Sequence, residues 1–183
     1  MNVLDLVPIV LVIVYAALGF FSGIVRRLIG IIGVYIAFLA ATNMGLQAGA
    51  LAQQSSSIET PDARIYGFFG ILIAVIVVVE GAAQLAHSAI QIEAIVLNRL
   101  LGVLVGLVTA VLLSVVLTYE LQAAANPFGG GSLDVFQLKI RDTVKGSQIA
   151  VPLARGIGKP IIGIFQPVLP GDPQIYFSSG LVS

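Results

Sequence analysis

Four apolar runs of membrane-spanning length crowd the first two thirds of this chain, at about 3–21, 24–41, 65–85 and 96–119. A helix needs about 20 mostly apolar residues to cross roughly 30 Å of hydrocarbon, and inside lipid a single segment can satisfy its own backbone only as a helix. The expected fold class is therefore an all-α integral membrane protein, with four transmembrane helices and a C-terminal interfacial amphipathic helix. Composition agrees: 58% of the chain is hydrophobic and 10% charged, where soluble domains carry about 25% charge. Mean hydropathy is +1.05. Nine basic and nine acidic residues cancel, so no basic field exists for nucleic acid. The absence of cysteine removes disulfides, thiolate metal sites and cysteine nucleophiles. With no Trp, interfacial anchoring falls to Tyr and Phe.

The first run reads as a retained helix. Its n-region, Met1-Asn2-Val3-Leu4-Asp5, carries an acid and no base, and Ala16-Ala17-Leu18 is a poor cleavage site. Gly19 and Gly23 allow a tight reversal into the second run, so the two should form a hairpin. Residues 53–59 are polar and serine-rich and read as a loop. Thr60-Pro61-Asp62 reads as a helix start. In the fourth run Gly102, Gly106 and Ala110 form a small-xxx-small face for close helix packing, and Gly30 and Gly33 line one side of the second run. The organisation expected is a transmembrane domain over 1–125, a flexible linker over 126–146, an interfacial helix over 147–170 and a loose tail over 171–183. The interfacial helix should break near Pro160. Its apolar stripe should hold Ile149, Leu153, Ile157 and Ile161, extended by Ile164, Phe165 and Val168, with Arg155 and Lys159 on the other side.

Basic residues bear on orientation. Arg26 and Arg27 lie between the first two runs and Arg99 opens the fourth, against Arg64 alone near the other membrane ends; Lys139, Arg141, Lys145, Arg155 and Lys159 lie beyond the glycine run of the linker, too far out to count strongly. The positive-inside rule then puts the two hairpin turns in the cytoplasm and both termini outside.

Glu80 is the residue that most invites a function, because a carboxylate inside a span is costly and marks a functional site by default. It reads either as a proton-titrating group on an ion path or as one partner of Arg27 or Arg99 near the cytoplasmic interface. The pairing is favoured, since a path should show further intramembrane polar groups. His87 is the single histidine. A zinc site needs three or four ligands, so His87 reads as part of a wet helix face with Gln84 and Gln91. Ser178-Ser179-Gly180 lacks the setting of a catalytic triad, and Gly129-Gly130-Gly131 lacks the Lys-Ser/Thr of a phosphate loop. No catalytic, cofactor-binding or metal-binding residue is expected.

Three groups of residues carry a family resemblance. The first is Asn2-x-x-Asp5 leading into an apolar helix, then Gly19-x-x-x-Gly23, a basic pair, Gly33 and Ala40. The second is Asn98-Arg99-Leu100-Leu101-Gly102-x-x-x-Gly106. The third is Ser147-Gln148-x-x-x-Pro152. In this order, over about residues 1–165, they resemble the colicin V production protein (CvpA) family of bacterial inner-membrane proteins. Thr109 and Ala110 stand where members often have a basic residue and a glycine. The resemblance implies a four-helix membrane protein with a role in colicin V production or export and in envelope stress tolerance, and no known reaction. The expected function is non-enzymatic, exerted in the lipid bilayer through membrane-protein partners or a homo-oligomer. The alternative is a small channel or transporter component, alone or as an oligomer.

Overall fold

The computed structural model describes residues 2–56, 58–85, 95–128 and 133–178, and these residues form helices without a strand. Three helices are long and apolar enough to cross a membrane: Val3–Ser55, Thr60–Ala83 and Val96–Ala124. We label the elements α1 (Val3–Ser55), α2 (Thr60–Leu85), α3 (Ile95–Ala124), α4 (Val135–Lys145), α5 (Ala150–Phe165) and α6 (Pro173–Tyr176), with a 3-10 turn at Gln166–Val168 after α5.

The first two apolar runs thus fall in one assigned helix of 53 residues, but Gly23 inside it has non-helical torsions, φ 74° and ψ −179°. That φ lies where only glycine sits without strain. The chain reverses there. Along a straight helix Asp5 and Phe38 would stand about 50 Å apart, and α5 is only about 24 Å long. Yet the backbone N–H of Ala150, at one end of α5, reaches the Asp5 carboxylate at 3.4 Å. At its other end the Phe165 ring lies 5.5 Å from that of Phe38. Both limbs of α1 therefore run side by side.

Glycines set the spacing of the bundle. A Cβ on Gly102 would lie 2.8 Å from the Gly23 Cα, and one on Gly106 would lie 2.9 Å from the Tyr15 carbonyl carbon. Real Cβ atoms do not approach backbone so closely, so α3 meets the first limb of α1 backbone to backbone. These contacts pair 23 with 102 and 15 with 106, which makes the two antiparallel. The second limb packs on α2 in the same manner. A Cβ on Gly49 would lie 2.9 Å from the Ala63 carbonyl carbon, and one on Gly45 would lie 2.9 Å from the Phe68 Cα. Gly33 faces the Val79 side chain and Gly67 faces Gly49.

The surface is inverted relative to a soluble protein. Phe21, Ile32, Val77, Val78, Leu100 and Leu104 point outward, while Asp5, Arg26, Arg27, Thr109 and Glu120 are buried. An apolar exterior on this scale is costly in water and costs nothing in hydrocarbon. Inside, Phe38, Phe68, Leu72, Val115, Val116 and Phe165 form the core.

The C-terminal third departs from expectation in four ways. The 126–146 stretch, expected to be a flexible linker, contains α4. Asp134 starts it by accepting from the Gln137 N–H at 2.7 Å, and the Gly146 N–H closes it on Asp142. The helix expected to break near Pro160 runs unbroken through it. Pro160 and Gly156, whose carbonyl loses its partner there, both lie on the exposed side. Gly158, Ile161 and Phe165 hold the other side against the bundle. The buried face is also not the expected stripe, since Ile157 is 40% and Ile164 61% exposed while Ala150, Val151 and Gly158 are buried. Finally, residues 171–178 of the tail are docked: Phe177 is fully buried against Phe68 and Phe69. Residues 179–183 lie outside the described residues, as do His87, Gln91, Ser179, Gly180 and Gly129-Gly130-Gly131.

Candidate functional site: two buried polar clusters

Two clusters of buried polar residues sit at opposite ends of the first limb of α1. The first cluster sits at the Gly23 end. Arg26 and Arg27 start the second limb of α1, and Glu80 approaches from the end of α2. The Arg27 guanidinium forks onto the Glu80 carboxylate, Nη1 to Oε1 at 3.1 Å and Nη2 to Oε2 at 2.7 Å. Its Nε donates to the Ser22 hydroxyl at 3.2 Å, and its Cζ lies 5.7 Å from the centre of the Tyr15 ring. The Arg27 side chain is fully buried and that of Glu80 19% exposed. A bidentate arginine–carboxylate pair is the strongest geometry of its kind. Arg26 donates to the Glu80 backbone carbonyl at 3.3 Å. Gly30 makes room, since a Cβ there would sit 3.3 Å from Glu80 Oε1.

Arg99, the other candidate partner of Glu80, goes elsewhere. It is exposed and stacks over Phe20, 5.3 Å from the ring centre. Among the described residues Arg27–Glu80 is the one ion pair. Next to it, the Asn98 side-chain oxygen accepts from the Ile24 N–H at 2.9 Å. That N–H is left without a helical partner by the break at Gly23, so Asn98 caps the restarted helix. Gly19, Gly23, Asn98, Gly102 and Gly106 thus form one joint.

The second cluster joins the chain start to α5. Asn2 and Asp5 form a capping box: Asn2 Oδ1 accepts from Leu4 N–H at 3.0 Å, and the Asn2 N–H donates to Asp5 Oδ2 at 3.0 Å. The Asn2 amide also donates to the Thr143 carbonyl at 2.6 Å. Asp5 is fully buried. Its carboxylate accepts from the Ser147 hydroxyl at 2.6 Å and from the backbone N–H groups of Gln148, Ile149 and Ala150 at 3.0, 2.9 and 3.4 Å. An anion at the N-terminus of a helix satisfies its orphan donors and faces the positive end of its dipole. Asp5 is therefore the cap of α5, supplied from 145 residues away.

A third group was not singled out by sequence reasoning. Glu120 on α3 is fully buried, and neither carboxylate oxygen has a hydrogen-bond partner among the described residues. It sits in an otherwise polar-poor stretch, where Ser114 and Thr118 bond back to their own helix. The signal was available: an acid near the end of an apolar run. Nearby, Tyr176 donates to the Ala41 carbonyl at 3.2 Å. Burial, reinforced by the Glu120 charge, pushes its phenol up to about 12. Arg64 holds the carbonyls of Tyr176 and Ser178. Among the described residues no group of three acidic or histidine side chains could hold a metal.

A family model described as Colicin V production protein matches residues 4–155. Comparison with curated proteins and with solved structures found no match.

Proposed function

Because the chain belongs to the colicin V production protein family, we propose that it is a non-enzymatic protein of the bacterial inner membrane, serving colicin V production or export and envelope homeostasis through membrane partners or self-association. Its two α1 limbs, α2 and α3 make four passes, with both hairpin turns in the cytoplasm and both termini outside. The reversal at Gly23 supports the count, because each limb is long enough to span. The observation that carries the reading is the Arg27–Glu80 pair. The intramembrane acid that most suggested an ion path is clamped by a fully buried guanidinium. It joins two helices and ties up the Glu80 carboxylate, which is then not free to relay protons. A part built this way presents a rigid apolar exterior to other helices. The test is in vivo cross-linking from exposed positions such as Ile32 and Leu104, combined with a secretion assay. Cross-links to membrane proteins or to a second copy, together with reduced colicin V export when the protein is removed, are expected.

One observation favours the alternative, a channel or transporter component. Glu120 is a second intramembrane carboxylate, buried and unbonded among the described residues, and such groups mark proton paths. Purified protein in liposomes decides between them. Proton or ion flux above that of empty vesicles, abolished by Glu120→Gln, would replace the first reading with the second.

A further inference from the structure

α5 lies across the bundle, touching the start of α1 through Asp5, α3 through Val115 beside Gly158, and the second limb through Phe38. Val115 is nine residues before the end of α3 at Ala124, about 14 Å along its axis. With α3 centred across about 30 Å of hydrocarbon, this depth falls just under the headgroups of one leaflet.

Between α3 and α5 a groove of about 550 Å³ opens at this depth. Its two charged lining residues are both cations, Arg155 and Lys159. Both are exposed and neither forms an ion pair among the described residues. Polar donors flank them, the Tyr119 hydroxyl and the Gln122 and Gln166 amides, while Val115, Ile162 and Leu169 make an apolar wall. Lys145 lines the adjoining groove, which shares Arg155 and Gln122. On the opposite flank Asp172 lines a neighbouring groove, but its carboxylate already caps α6.

A separate observation concerns Gly163. It lies within α5, lines the groove, and has an ordinary negative φ, because Gly23 holds the one positive glycine φ among the described residues. A Cβ at Gly163 would meet nothing within 4 Å. Neither backbone conformation nor packing within the chain asks for glycine there, and alanine is the better helix former. What the glycine preserves is open space beside two unpaired cations.

We propose that this groove seats one anionic phospholipid, its phosphate held between Arg155 and Lys159 and an acyl chain laid along Val115, Ile162 and Leu169. Charge complementarity selects an anionic headgroup, and the apolar wall selects a lipid over a free phosphate. The inference goes beyond the function proposed above and requires only that the protein sits in a bilayer. Native mass spectrometry of the delipidated full chain, titrated with phosphatidylglycerol or phosphatidylcholine of equal chain length, tests it. The expected result is one retained phosphatidylglycerol per chain, favoured about tenfold over phosphatidylcholine, whose phosphate is the same but whose choline cation is repelled by Arg155 and Lys159. Arg155→Gln with Lys159→Gln should erase the preference. Gly163→Leu should block retention while the melting temperature in detergent stays near native. If Gly163→Leu does not fold, the charge variant decides alone. Equal retention of the two lipids, or a preference that survives the charge variant, overturns the proposal. Displacement of the lipid by inorganic phosphate at equal concentration overturns the lipid assignment.

Discussion

Arg27 shows how one residue turns a liability into a joint. Its charge is taken wholly out of solvent and held by Glu80, Ser22 and the Tyr15 ring. Removing one partner of a buried pair leaves the other uncompensated, at a cost of about 3–5 kcal/mol, whereas replacing both with apolar groups of similar size is often neutral. Glu80 keeps some exposure, so the lower end applies. We expect Arg27→Met to lower stability in detergent by about 3 kcal/mol, and Arg27→Met with Glu80→Leu to recover most of it. Thermal unfolding of the two variants checks this. Failure of the double variant to recover would mean that the pair does more than fasten two helices.

At the scale of the element, α5 depends on a residue it does not contain. Its own N-cap position, Ile149, offers no side-chain acceptor, and Asp5 takes that place from the start of α1. Asp5→Asn keeps the shape but removes the charge and one acceptor oxygen. Faster hydrogen exchange is expected at the amides of 148–150, which donate to the Asp5 carboxylate, with the first turn of α5 fraying and α2 and α3 unchanged. Protection in that turn equal to the native protein would show that the packing of Ala150 and Val151 and the Ser147 hydroxyl, which accepts from the Val151 N–H at 3.1 Å, secure the helix without the Asp5 charge. The same variant should loosen the link to Asn2 and so to α4, whose Thr143 carbonyl the Asn2 amide holds.

For the whole molecule, the question is how the bundle lies in the membrane. Counted over the connections between spans, Arg26, Arg27 and Arg99 outnumber Arg64 and argue that the Gly23 end faces the cytoplasm, while Lys145, Arg155 and Lys159, docked toward the other end, argue the reverse. The chain has no cysteine, so single cysteines report cleanly. Phe21→Cys, exposed beside the reversal at Gly23, should react with a membrane-impermeant thiol reagent only after the cytoplasmic face is opened, and Ser56→Cys from the outside of intact cells. The reverse pattern would invert the orientation and place the lipid-binding groove in the cytoplasmic leaflet.

Run length and composition determined membrane residence and the all-helical class, since only a self-satisfied backbone survives in hydrocarbon. The motif residues were also legible: Gly19, Gly23, Gly102 and Gly106 stand out because spaced glycines in apolar helices have few other uses. Tertiary structure alone decided which groups meet. Glu80 had two candidate arginines, and the reversal at Gly23 with the register of α2 on Gly30 and Gly33 chose Arg27. Arg99 was turned away toward Phe20. Asp5 and Ser147 looked like separate local features, because no local pattern encodes a cap supplied across the chain. Glycine packing at Gly45, Gly49 and Gly67 was missed for the same reason: close approach depends on the partner backbone. The order of α4 and the docking of Tyr176 and Phe177 were missed as well, since short polar or proline-rich stretches carry little intrinsic helicity. Contacts supplied by the finished bundle, with Phe68, Ala41 and Arg64, hold the tail residues in place.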